Sequence, residues 1–282
     1  YNNSPKWLQE LCVAFADGVN YYLNTHPEVI PKLLTHFEPW MPMYFSEGSI
    51  GGDIERVSTR KMKDFYGKDT DNRIAVNDGF IRLKDDEPRG SNGFAISGNL
   101  TKSGHTMLLI NPHTSFFFRG EVHVVSEEGL NAYGAVTWGQ FFVYQGFNEK
   151  TGWMHTSTGT DIMDEFEETI IKKNGKTSYK YGDELRPVDS IEVTLNYKTT
   201  DSVKLKTFMM YRTHHGPITH ANDDKWVSTA LMWSPVKALE QSFTRTKTSN
   251  YDAFYKMMDI RTNSSNNTVY ADADGTIAYY HG

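Results

Sequence analysis

The stretch "EPRGSNGFAISG" at positions 87–98 carries a serine, Ser91, where a charged, proline-bearing segment turns into an alternating apolar run. A serine hydroxyl is a weak nucleophile unless a neighbouring base takes its proton. Taken alone, a serine at a linker-to-strand boundary is a turn residue. Other chemistry-bearing residues fail on spacing. His214 and His215 are adjacent and no HExxH pattern occurs in the chain, so the arrangement of a zinc hydrolase is missing. The acidic run "DTDNRIAVNDG" has the carboxylate density of a calcium loop without glycine and glutamate at the EF-hand positions, and reads as a solvated linker. His123, inside "EVHVVS", reads as a packed or surface residue. Cys12 is the only cysteine, which excludes an internal disulfide and a thiolate metal cluster.

The elements that would hold these residues follow from periodicity. Residues 1–60 open with an amphipathic helix, which Ser4 is placed to cap and whose first position suits Pro5. Trp7, Leu8, Leu11, Phe15, Val19 and Tyr22 recur along it at three-to-four spacing. Residues 61–90, rich in Asp, Lys and Gly, read as a connector. From Ser91 the period becomes two, in "NGFAISG", "HTMLLIN", "EVHVVS", "FFVYQ", "SIEVTLNY" and "WVSTALMW", so residues 91–282 read as mainly strand. "TVYADADGTIAYY" sets the turn residues Asp272 to Gly275 between two strand-like runs. Helices return between Ser234 and Met258, where Leu239, Phe243, Phe254 and Met257 are spaced for one face. No apolar run of about 18 residues predicts a membrane span. Scattered basic residues in a chain of net charge −6 lack the electrostatic footprint of a nucleic-acid binder.

Five segments change the reading of Ser91. "GSNGFAISG", "TKSGHTMLLINPHTSF", "GFNEKTGWMHTSTGTDIMD", "YRTHHGPI" and "NNTVYADADGTIAY", in this order and spacing, resemble the penicillin acylase family of N-terminal-nucleophile hydrolases. "FADGVNYYLNTHPEVIPKLLTHFEPW" is similar to the end of that family's small α-subunit, so the resemblance covers essentially the whole chain. It implies an α+β fold, an αββα sandwich of two stacked antiparallel sheets flanked by helices. It also implies self-cleavage between Gly90 and Ser91, which makes Ser91 the first residue of a β-subunit. The α-amine so freed, with an unperturbed pKa of about 8, is a base on the same residue as the hydroxyl. Residues 1–60 become the end of an α-subunit, 61–90 a spacer and 91–282 the start of the β-subunit. The family usually continues well past "YYHG", so the chain is expected to be an internal piece of a precursor, with the remaining parts of that precursor as its partners.

The resemblance assigns further roles. His113, in "NPHTSF", matches a histidine that contacts the nucleophile's amino terminus, with Asn111 where an aspartate is usual. Asn267 matches the oxyanion-hole asparagine, with Asn266 as the competing neighbour, and the Ser157 N–H is the second donor. Asp161 and Asp164 match carboxylates that hold a structural calcium, and Asp53 matches a third ligand in competition with Glu55. No organic cofactor is implied. The substrate would be a small acyl amide: a β-lactam amide, an acyl-homoserine lactone or an acyl peptide. The compartment would be the periplasm or the medium. The aromatic run after His113, Phe116 to Phe118, would favour an apolar acyl group, with Arg119 as the residue able to reverse that preference. Phe116 to Phe118, Trp138 and Phe147 are suited either to line a pocket or to fill the core. Two rival readings are a metal-dependent hydrolase built on His113, His214 or His215, and a noncatalytic β-rich binding module.

Overall fold

The computed structural model describes residues 1–32, 34–44, 57–67, 90–113, 119–161, 163–199, 202–262 and 266–282. They fall into two packing units, one of Tyr1–Gly52, Arg82–Thr160 and Trp233–Gly282, the other of Asp53–Ile81 and Asp161–Met232. These units cut the chain differently from the boundaries at 60 and 90, which rest on composition and on the Gly90-Ser91 junction.

In the first unit the period-two runs "NGFAISG", "HTMLLIN" and "EVHVVS" give strands of two antiparallel sheets, whereas of "FFVYQ" only Gln145 is strand. Strands β1 (Gly90–Ile96) and β2 (Met107–His113) form a pair. The larger sheet takes β3 (Arg119–Ser126), β4 (Leu130–Thr137), β5 (Gln145–Asn148), β6 (Thr151–Ser157), β15 (Asn266–Asp272) and β16 (Ile277–Tyr280) in the order β16-β15-β6-β5-β4-β3. Side chains alternate between the faces of a strand. Along β1, Ser91, Gly93 and Ala95 are half-buried, while Asn92, Phe94 and Ile96 are exposed. Gly93 sits so close to the larger sheet that a Cβ would lie 2.6 Å from Met154 Sδ and 3.1 Å from Val269 Cγ2. At Gly152 of β6 a Cβ would lie 2.7 Å from Leu108 Cδ2. The two missing side chains let the β1-β2 pair rest directly on β6 and β15.

The other face of the larger sheet is covered by helices α3 (Pro235–Arg245) and α4 (Tyr251–Met258). Ala132, Trp153 and Tyr270 of the sheet bury against Phe254 and Met257 of α4. Covered on both faces, β6 and β15 are buried along most of their length. Helix, sheet and sheet make three of the four layers of the αββα sandwich among the described residues. Helix α1 (Lys6–Thr25) adds Leu8 and Cys12 to a second cluster with Met43, Phe142, Tyr144 and Leu239. One detail differs from expectation: Pro5, at φ −54° and ψ 146°, precedes the helix as its N-cap, and Ser4 makes no side-chain cap bond. Ser4 is instead bent into a turn, its N–H donating to Tyr1 O at 2.9 Å, while Gln9 Nε2 reaches back to Ser4 O at 2.8 Å.

The second unit contains β7 (Met163–Glu168), β8 (Ile170–Lys173), β9 (Lys176–Tyr181), β10 (Glu184–Pro187), β11 (Asp189–Lys198), β12 (Val203–Arg212), β13 (Ile218–Asn222) and β14 (Lys225–Leu231). They pair as β13-β14-β7, β10-β9-β8 and β11-β12, all antiparallel. Helix α2 (Thr59–Tyr66) falls across the boundary at residue 60 and is capped by Ser58, whose Oγ accepts from the Lys61 N–H at 3.3 Å. It packs on this unit through Tyr66, whose hydroxyl donates to Ile218 O at 2.7 Å, and through Phe65, edge-on to Trp226 at 5.2 Å. Residues 68–89 of the expected spacer lie outside the described residues.

Candidate active site

Gly90 and Ser91 open β1. Gly90 has φ +143°, a conformation that side-chain-bearing residues rarely adopt. A Cβ there would meet only His113 Nδ1, at 3.9 Å, so the constraint is torsional and not steric. The Ser91 hydroxyl donates to Gly90 O at 2.6 Å, which holds Oγ against the carbonyl of the peptide bond it shares with Gly90. Among the described residues no side-chain base accepts the Ser91 hydroxyl proton.

Ser91 faces a cleft of about 660 Å³, whose other walls include Ala95, Thr156, Val269, Ile277 and Tyr279. On the facing strands Asn267 is opposite Thr156 in the β15-β6 register, and Asn266 is opposite Ser157. Asn267 is buried, and its Nδ2 donates to Ser157 O at 3.2 Å and to Thr156 Oγ1 at 3.4 Å, while the Gly282 N–H donates to its Oδ1 at 3.3 Å. The structure therefore brings Asn267 and Ser157 together, and Thr156 links them to the cleft that Ser91 lines. Alternation separates the competing asparagines: Asn267 shares the face of Val269, toward the β1-β2 pair, and Asn266 does not. The sequence reading passed over Thr156. Its signal is positional, since it lies opposite Asn267 in a register that the sequence does not display.

His113 is the register partner of Gly90 but joins Asn92 and Asn111 on the outer face of the β1-β2 pair. Its Nε2 is 3.0 Å from Asn111 Oδ1 and 3.2 Å from Asn92 Nδ2, and Asn92 Nδ2 also donates to Asn111 Oδ1 at 3.3 Å. His113 thus lies beside the Gly90 half of the junction, with no hydrogen bond to the Ser91 hydroxyl. Phe116 to Phe118 lie outside the described residues. Trp138 is 70% exposed and Phe147 50% exposed, so neither fills the core.

The expected metal ligands belong to the second unit or fall outside the description. Asp161 is exposed ahead of β7, Asp164 is exposed on β7 opposite Ala230, and Asp53 and Glu55 lie outside the described residues. Two carboxylates supply only part of the six to eight oxygens calcium takes, and among the described residues no group of three His, Cys, Asp or Glu side chains is placed to hold an ion. A polar cluster of the second unit is built around Glu168, which is buried and accepts from His215 Nδ1 at 2.9 Å, Thr213 Oγ1 at 2.8 Å and Ser228 Oγ at 2.7 Å. Burial pushes the Glu168 carboxyl up, but these three bonds outweigh it and hold the group below its ordinary range. His214 Nδ1 is 2.7 Å from the Tyr179 hydroxyl, and desolvation, helped by His215 and Arg186, lowers its pKa. Cys12 is buried in the α1 cluster and its thiol is pushed up to about 11 by burial, which leaves it inert as a nucleophile.

A family model described as penicillin amidase matches residues 1–282. Among solved structures the chain is similar to a thermostable penicillin G acylase from Alcaligenes faecalis in orthorhombic form, with a TM-score of 0.55 and 19% identity. That match covers 66% of this chain and 34% of the relative, so the chain spans about a third of the relative's length. At this identity the likeness is one of fold.

Proposed function

Since the chain belongs to the penicillin amidase family, we propose that it carries the nucleophile of an amide hydrolase, and that this nucleophile is Ser91, freed by cleavage of its bond to Gly90. The observation that carries the reading is the junction itself. The Ser91 hydroxyl is hydrogen-bonded at 2.6 Å to the carbonyl oxygen of that bond, in a backbone conformation suited to glycine. Oγ attacks the Gly90 carbonyl carbon, the C–N bond breaks, and the hydroxyl proton passes to the departing Ser91 nitrogen. Water then hydrolyses the resulting ester, leaving a carboxylate on Gly90 and a free amine and hydroxyl on Ser91.

The same hydroxyl next attacks the carbonyl of an N-acyl substrate. The α-amine of Ser91 takes the Oγ proton, directly or through one water, and returns it to the leaving amine. Asn267 Nδ2, turned from Ser157 O to the substrate, and the Ser157 N–H receive the charge that develops on the carbonyl oxygen. Water then releases the acyl group. The walls of the cleft beside Ser91, including Val269 and Ile277, support an apolar acyl chain. Each buried methylene contributes about 0.8 kcal/mol, whereas an unpaired carboxylate costs several kcal/mol. Phenylacetyl and decanoyl amides should therefore exceed the glutaryl amide in kcat/KM, and a glutaryl preference abolished by Arg119→Ala would reverse the assignment. A structural calcium on Asp161, Asp164 and Asp53, and a place in the periplasm or medium, belong to the same proposal; calorimetric titration with Ca²⁺ and cell fractionation check them.

Intact-mass measurement tests the nucleophile. Two chains separating between Gly90 and Ser91, and one uncut chain for Ser91→Ala, are expected. A β-chain beginning at any other residue would refute the assignment.

A further inference from the structure

Behind the strands that carry Asn267 and Thr156 lies a polar chain that the proposed reaction does not use. Arg245, the last residue of α3, is fully buried and brings Nη1 to 2.6 Å from His155 Nε2. His155, on β6, is also buried, and its Nδ1 is 2.9 Å from Thr268 Oγ1 on β15. Gln145 Nε2 donates to the His155 carbonyl at 3.3 Å, and Arg245 Nη1 to Tyr144 O at 3.4 Å.

The chemistry of the donors orders this chain. A guanidinium has only N–H groups to offer, so His155 Nε2 accepts. An imidazole that accepts at Nε2 is neutral and carries its proton on Nδ1, which therefore donates to the Thr268 hydroxyl. His155 and Thr268 are register partners, and the next pair is Thr156 with Asn267. Alternation turns the first pair toward the helix layer and the second toward the β1-β2 pair. One hydrogen bond on the back of the sheet thus ties together the two strands whose front carries the candidate oxyanion side.

We propose that Arg245, His155 and Thr268 form a positioning relay that fixes β6 against β15 and so sets where the Asn267 amide meets the developing oxyanion. The relay rests on the reading of Asn267 as an oxyanion donor. None of the three residues touches the reacting atoms. Their effect lies in geometry, where a misplacement of about 1 Å lowers rate by as much as about a hundredfold.

The test uses the intact processed protein with phenylacetyl and decanoyl p-nitroanilides. Thr268→Val keeps the shape and removes the acceptor; it should lower kcat about tenfold with KM within about twofold, a smaller loss than a full 1 Å misplacement gives. His155→Gln, which keeps a donor and an acceptor, should recover most of the loss seen with His155→Phe. The combination Thr268→Val with Asn267→Ala should be no slower than Asn267→Ala alone, because the first acts through the second. Multiplying losses, or a Thr268→Val protein with a lowered Tm and unchanged kcat, would overturn the relay. If Asn267→Ala alone leaves kcat unchanged, the oxyanion assignment itself falls; if Asn267→Ala is slow and Thr268→Val is not, only the relay does.

Discussion

Single residues at the site make separable demands. Asn267→Ala should lower kcat by about a hundredfold and KM little, because an oxyanion donor acts on charge that develops late. Asn266→Ala is the control, and a larger loss there would move the assignment to the neighbour. At Gly90 an alanine would have to hold φ +143°, at a cost of about 1–3 kcal/mol. Gly90→Ala should therefore slow cleavage, read as uncut chain by mass. Glu168 makes a pH prediction. Its folded-state pKa is depressed, so its contribution is present above the unfolded value of 4.5 and is lost as pH falls through the folded value. Glu168→Gln should flatten the acid limb of a stability-against-pH curve, and an unchanged limb would refute the role. Ser91 was legible as a candidate only through five ordered segments that resemble one family, since alone it reads as a turn residue. Thr156, His155, Thr268 and Arg245 were not, because their meaning comes from which face of which strand they occupy and from what lies opposite.

Among elements, existence was easier to read than arrangement. The opening helix, the strands after Ser91, the hairpin around Asp272 to Gly275 and the helices between Ser234 and Met258 follow from patterns within a dozen residues. That β15 lies beside β6 does not, since Asn267 and Thr156 are 111 positions apart and are joined only by pairing. Pro5 shows the limit of local rules: its ring suits a first helical turn, yet a turn at Tyr1 and Ser4 places it one residue earlier. The glycines of the layered site give a test at this scale. Gly93→Ala puts a methyl 2.6 Å from Met154 Sδ and should lift β1 from the sheet, lowering both Tm and the extent of cleavage. Gly120→Ala, on β3 with open space around it, should do neither.

In the first unit as a whole, residues on both sides of the junction share one core. Leu8, Cys12 and Met43 precede Ser91, while Phe142, Tyr144 and Leu239 follow it, and all six pack together. The contact of Trp7 with Phe243, ring centres 5.8 Å apart, and the bond from Gln140 Nε2 to Pro42 O at 2.8 Å cross the same divide. If the junction is cut, contacts of this kind hold the earlier segment in this unit. Leu8→Ala should cost about 2–5 kcal/mol, seen as loss of the earlier segment from the cut protein on dilution in size-exclusion chromatography. A retained segment would show that other contacts suffice. The shared core also decides what kind of stability the molecule has. An uncut chain refolds as one piece, but two pieces must find each other again, at a rate set by their concentration. A cut protein would therefore recover slowly from heating, faster at higher concentration, and its melting midpoint should move with scan rate.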